Sequence, residues 1–417
     1  MADTNPLLRS SNGLAHPVPS LNQYSSRVDK LFKLGTAVQT LYPDFEFRVE
    51  QHALILLANL KHFEKGRALS VEMGPRGLKR NLERASPFCK HYMHHVNPDN
   101  LKSEAVIWNH AADRSPTPQL PLTRERIHHE SWEAIASSMY YNQRFETNPG
   151  LTKILRDRSQ ESICFQRGGH ACMLTRKTGD LTCFWFIPPT WNNNVHNNNV
   201  TGNLHPLSLI LADVDLLDDI LSASQLGLTH GAWNMVCVDR IMYRFLSDGW
   251  CAFNFRDATL RNDGRSEVVL QFYWMPQLTP RFNKPSSTFD MENIVREFKA
   301  FVQSDCPPPP HYPGGPVPKS GTLVRIVMTP EEARKTESAV KVHWASIVYT
   351  ALCGGAGRPQ FLTGMDQSDG SLVPRDNEFA LERERLEWDH RVAEMGWKKA
   401  YRATGSQGTE PSRETEM

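Results

Sequence analysis

Two short apolar runs on either side of a polar insertion constrain this chain more than any other feature. The first is Cys183-Phe184-Trp185-Phe186-Ile187-Pro188, and the second is Trp233-Asn234-Met235-Val236-Cys237-Val238-Asp239. The second runs straight into Arg240-Ile241-Met242-Tyr243-Arg244-Phe245-Leu246, a helical pattern ended by Asp248-Gly249. The plan is strand, long loop, strand, helix. Asp239 reads as the helix N-cap, because its carboxylate can take a free N–H of the first turn. The stretch opens at Cys172, read as the start of the first strand, and closes with Leu270-Gln271-Phe272-Tyr273-Trp274-Met275-Pro276.

More sheet is expected beside this unit. Gly249–Phe255 reads as a strand, Arg261-Asn262-Asp263-Gly264 is a hairpin turn signal, and Val268–Trp274 returns as its partner. Thr322–Met328 is a further strand. Thr329-Pro330-Glu331-Glu332 then forms a capping box with proline at the first helical position. The helix it starts turns Val340, Trp344, Ile347, Val348 and Ala351 inward and stops at Gly354-Gly355. The fold class is α+β: a small hairpin–helix unit and an antiparallel sheet, surrounded by helices.

The central stretch resembles the HNH nuclease domain of many filamentous-fungal proteins, a ββα-metal unit. The residues that carry the likeness are Cys172, Pro188, Trp233, Asn234, Met235, Cys237 and Trp274-Met275-Pro276. A weaker likeness runs from Val340-Lys341-Val342-His343-Trp344 to Cys353-Gly354-Gly355-Ala356, which matches the family's late helix. The resemblance implies a histidine three residues before the proline as general base, and a helix histidine as ligand of a divalent metal. Counting along this chain puts Trp185 and Tyr243 at those two positions.

Hydrolysis by such a site needs an imidazole to take a proton from water and a metal to hold the phosphate and its developing charge. Tryptophan accepts no proton. Tyrosine is a poor metal ligand at neutral pH, since its phenol titrates near ~10. Asn234 remains from the family's triad, where its role is to hold the loop together. The family catalytic positions Trp185, Asn234 and Tyr243 therefore read as degenerate, with no metal and no cofactor implied.

The chain has 417 residues, 40% hydrophobic and 22% charged, with a net charge of +1. That balance lacks the basic excess of a dedicated nucleic-acid binder. Of the eight cysteines none pair as C-x-x-C, so a zinc ribbon is not indicated, and they read as buried thiols in a reducing compartment. The N-terminus has no basic segment leading into an apolar core, and no apolar run nears the ~18 residues of a membrane helix. The expectation is an intracellular protein of cytoplasm or nucleus, with no membrane association.

The segmentation expected is a disordered tail at 1–25, a helical region at 26–150, the HNH-like domain at 151–304, a Pro-rich linker at 305–320, a strand and helices at 321–403, and a disordered tail at 404–417. In the N-terminal region Arg76, Lys79, Arg80, Arg84 and Lys90 form a basic cluster, read first as a solvated helix face and second as a phosphate contact. Further helices are expected at Ser131–Tyr141, Leu151–Cys164 and Asp376–Lys399.

Three functions follow. The first is a degenerate HNH-like protein that keeps the fold for binding. Asp213, Asp215, Asp218 and Asp219 lean its target toward protein rather than nucleic acid. The second is a small-molecule enzyme of fungal specialised metabolism, with Trp185, Trp191, Tyr243 and Phe245 lining a pocket and His170 or His230 as acid/base. The third is an active HNH endonuclease with shifted ligands. Whether the space between Trp185 and Tyr243 is filled or open separates them.

Overall fold

Thr329 starts the helix on which most other elements pack. Its hydroxyl accepts the Glu332 N–H (3.2 Å), and the Glu332 carboxylate accepts the Thr329 N–H in return (3.0 Å), the reciprocal cap read from the sequence. The helix that follows, Pro330–Leu352, is buried without a break from Ala345 onward. A helix apolar all round must be enclosed on every side. In this computed structural model, which describes residues 17–97, 157–193, 198, 201–202, 204–221, 226–282, 284–310, 312–313, 316–358 and 361–362, that is what is found.

In chain order the elements are α1 (Tyr24–Gln39), α2 (Val49–Leu57), α3 (Gly74–Glu83), α4 (Ala85–Val96), α5 (Arg158–Arg167), β1 (Leu181–Trp185), α6 (Pro206–Ala212), β2 (Met235–Asp239), α7 (Arg240–Ser247), β3 (Cys251–Leu260), β4 (Ser266–Trp274), α8 (Thr288–Gln303), β5 (Leu323–Met328) and α9 (Pro330–Leu352). The class is mixed α+β. A two-stranded antiparallel sheet pairs β1 with β2, and a three-stranded antiparallel sheet has the order β3-β4-β5. Helix α9 touches α2, α4, α6 and β3, so its burial comes from all parts of the described chain. Among the described residues no helix is long and apolar enough to cross a membrane.

Several boundaries differ from the sequence reading. Order begins before residue 25, because Val18 and Leu21 are buried and seat a short turn ahead of α1. Within α1, Arg27 is buried too. Its guanidinium donates to the carbonyls of Ile55 (2.5 Å) and Ala58 (2.7 Å), two acceptors left over at the end of α2, and burial brings its pKa down to about 10. The basic cluster is broken up: Lys79 pairs with Glu83 (2.7 Å), and Lys90 is buried, its ammonium 5.4 Å from the ring centre of Phe361. The expected strand at Cys172 is a tight turn, closed by the Arg176 N–H on the Cys172 carbonyl (2.9 Å) and by Arg176 at φ 63°.

Met1–Asp366 clusters as one unit, and a second, Gln367–Met417, lies outside the described residues. The Pro-rich segment 305–320 is not a boundary between folding units. Strand β5 lies beyond it yet pairs along β4 from Ser266↔Met328 to Gln271↔Leu323. The helices expected at Ser131–Tyr141 and Asp376–Lys399 fall outside the described residues, as does the tail at 404–417.

Candidate functional site

The hairpin–helix unit is assembled by local polar contacts. Asp239 ends β2 with an oxygen accepting the Met242 N–H (2.9 Å), which makes it the N-cap of α7 as its place in the sequence predicts. Its other oxygen accepts the Thr175 hydroxyl from the Cys172 turn. The Met173 N–H donates to the Cys237 carbonyl (3.0 Å), so that turn is laced to β2.

Asn234 joins the far ends of the two strands. It is fully buried, its Oδ1 accepts the Ile187 N–H (2.8 Å), and its Nδ2 donates to the carbonyls of Ile187 (2.7 Å) and Thr229 (2.8 Å). The Asn234 carbonyl also accepts the Phe186 N–H (3.0 Å). Each polar atom of the side chain is engaged with backbone, so this amide fastens a loop.

Trp185 and Tyr243, expected to face each other, do not. Successive strand residues point to opposite faces. Phe184 and Phe186 share one face, their rings 6.1 Å apart, and it is Phe184 that meets Tyr243, at 6.0 Å and edge-on. Trp185 is on the opposite face with Cys183, toward α5, and is buried. The count from the proline that selects Trp185 does not select the side chain nearest α7.

A buried polar chain on the Phe184 side was not read from the sequence. His343 of α9 accepts the Phe253 N–H through Nε2 (3.2 Å), and its Nδ1 lies 2.7 Å from the Tyr92 hydroxyl, itself 2.8 Å from the Phe186 carbonyl. An amide N–H can only donate, so Nε2 is the bare nitrogen and Nδ1 carries the proton. The order is then fixed: Phe253 N–H to His343, His343 to Tyr92, Tyr92 to the Phe186 carbonyl. Burial holds His343 neutral, its pKa brought down to about 3. Phe184 and Phe186 both pack on its ring, at 5.4 and 5.7 Å. The only sequence signal is a histidine set in the apolar run Ala339–Ala351 of a helix.

The candidate ligand-binding residues are dispersed. His170 is exposed, at φ 52°, where its N–H closes α5 onto the Phe165 carbonyl (2.9 Å). His230 is buried against the Pro189 carbonyl (3.3 Å). Trp191 is fully buried in the packing of α4, stacked on His91 at 5.2 Å and edge-on to Tyr92 at 5.6 Å. None of the three lies at the Phe184–Tyr243 contact.

Among the described residues no donors fit the divalent metal of the family that the central stretch resembles. Trp185 faces the wrong side, the phenol of Tyr243 packs on a phenyl ring, and among the described residues no group of three or more His, Cys, Asp or Glu side chains could hold an ion. Compared with protein-family profiles, with curated proteins and with solved structures, the chain matches none.

Proposed function

We propose that this protein is a binding module on an HNH-like hairpin–helix framework that does not cleave phosphodiesters. One observation carries the reading. Asn234, Asp239 and the Cys172 turn make the contacts that hold the hairpin–helix unit together, while the rings of Phe184 and Phe186 pack on His343 on the side that meets Tyr243. The buried imidazole there is spent on a structural hydrogen bond at each nitrogen.

The partner that fits best is a protein. Phosphate binding needs cationic side chains with charge to spare. On the outer face of α7, Arg240 faces Asp180 (3.2 Å) and Arg244 faces Asp248 (3.8 Å), and the net charge of the chain is +1.

The test is plasmid DNA incubated with the full chain and magnesium, manganese or zinc, alongside fluorescence anisotropy with a labelled duplex. The expected result is no nicking above background and weak, salt-abolished binding. Metal-dependent nicking by the unmodified protein, lost in a folded Asn234→Ala variant, would overturn the reading.

A further inference from the structure

Helix α5 lies over the β1–β2 hairpin and commits a single buried side chain to it, Cys164. Its end comes close to β2: a Cβ at Gly168 would sit 2.9 Å from the Cys237 Cβ, so only glycine allows the approach. Cys183 and Cys237 are direct cross-strand partners under this helix. The Cys183 thiol donates to the Glu161 carbonyl (3.8 Å), one turn ahead of Cys164 on the same helix. Arg167, on the same helix, is held by the carbonyls of Ala232 (2.5 Å) and Met235 (2.9 Å), which sets its guanidinium beside Cys164. Two buried thiols and a fixed cation thus meet between α5 and β1.

We propose that Cys164 and Cys183 are a reversible oxidation site, at which a hydroperoxide converts the two thiols into a disulfide that staples α5 to β1. Cys164 is the attacking sulfur. The neighbouring Cys183 thiol and the charge of Arg167 lower its pKa, while the Cys164 thiol raises that of Cys183 and burial lifts Cys237 to about 12. The Cys164 thiolate attacks the peroxide, the O–O bond breaks, and the sulfenic acid forms with release of an alcohol or water. Sulfur of Cys183 then attacks the sulfenic sulfur. The S–S bond forms, the S–O bond breaks, and the leaving hydroxide takes the Cys183 proton as water. Two electrons pass from two thiols to one O–O bond. Reactant reaches the buried pair when α5 opens locally, which breaks the Gln160 and Arg167 contacts to the backbone of Ala232 and Met235.

The experiment treats the full-length protein with hydrogen peroxide under native conditions and maps its thiols by mass spectrometry. The expected product is lighter by about 2 Da, carries a Cys164–Cys183 cross-link, reverts with dithiothreitol, and shows slowed amide exchange across Arg158–Arg167. Cys164→Ser and Cys183→Ser should each abolish that cross-link. The mapping on unmodified protein stands alone if either variant fails to fold. A Cys183–Cys237 cross-link, a gain of about 32 Da on Cys164 without cross-linking, or no change where the unfolded chain reacts would each overturn the proposal. So would unaltered exchange in α5 after cross-linking.

Discussion

The hydroxyl of Tyr92 and Nδ1 of His343 lie 2.7 Å apart, and through this pair the edge of the three-stranded sheet is joined to the end of the two-stranded one. The donor order runs one way, from the Phe253 amide to the Phe186 carbonyl, so each member has a fixed role. Tyr92→Phe would strip His343 Nδ1–H of its acceptor and the Phe186 carbonyl of its donor. The expected loss is about 1–3 kcal/mol, the usual cost of stranded buried polar groups. Urea unfolding of the variant measures it, and a change under about 0.5 kcal/mol would show that the chain is not formed in solution.

Acid should unfold this protein through its histidines. Burial depresses His343 to about 3 and His52 to about 4 in the folded state. Unfolded, each titrates near ~6.5. Below that value the unfolded chain binds more protons, so stability falls as pH falls. The window runs from roughly 6.5 down to each folded value, with about 1.4 kcal/mol lost per pH unit per histidine. Urea midpoints taken from pH 7 to pH 4.5 should fall steadily, and a His343→Gln variant should show a shallower slope. A flat profile over that range would refute the neutral, buried assignment.

Asn234 is expected to be the costliest polar residue of the hairpin–helix unit. Asn234→Ala removes one accepted and two donated hydrogen bonds in a fully buried place. The loss should be on the order of 3–5 kcal/mol. Asn234→Asp should be no better, because a carboxylate oxygen would face the Ile187 and Thr229 carbonyls. Chemical denaturation of both variants decides it, and near-neutral behaviour of the aspartate would mean the amide is not oriented as described.

Metal uptake can be engineered only on the correct face. Phe184 and Tyr243 are in ring contact at 6.0 Å, and Trp185 points the other way. The pair Phe184→His with Tyr243→His should bind nickel or zinc in a titration, as two imidazoles converging on one ion. The pair Trp185→His with Tyr243→His should not. Uptake by the second pair alone would place Trp185 on the α7 side after all.

Signals confined to a few neighbouring residues were legible in the sequence. The Asp239 cap, the Thr329–Glu332 box and the turn before Gly264 are each decided within one turn of chain, and each is where its residues predict. Pairings across the chain were not. Tyr92 and His343 are 251 residues apart, and nothing in a helix pattern says which buried histidine will meet which phenol. The facing of β1 failed for a related reason. The count back from Pro188 gives a position, but the register against β2, Cys183 opposite Cys237, decides which side chains turn toward α7. The division at the Pro-rich segment failed because composition cannot reveal that β5 returns to β4.

The place of α9 late in the chain sets the order in which this protein can be made. Residues 330–352 supply the surface against which α2, α4, α6 and β3 close. Until they leave the ribosome, the faces of α2, α4, α6 and β3 that pack on α9 have no partner. Synthesis proceeds at about 5–20 residues per second. Those faces, the first of them in α2, must therefore wait roughly tens of seconds before they are covered. A chain that ends before α9 would leave all four of those faces exposed together, the condition that favours aggregation over partial folding.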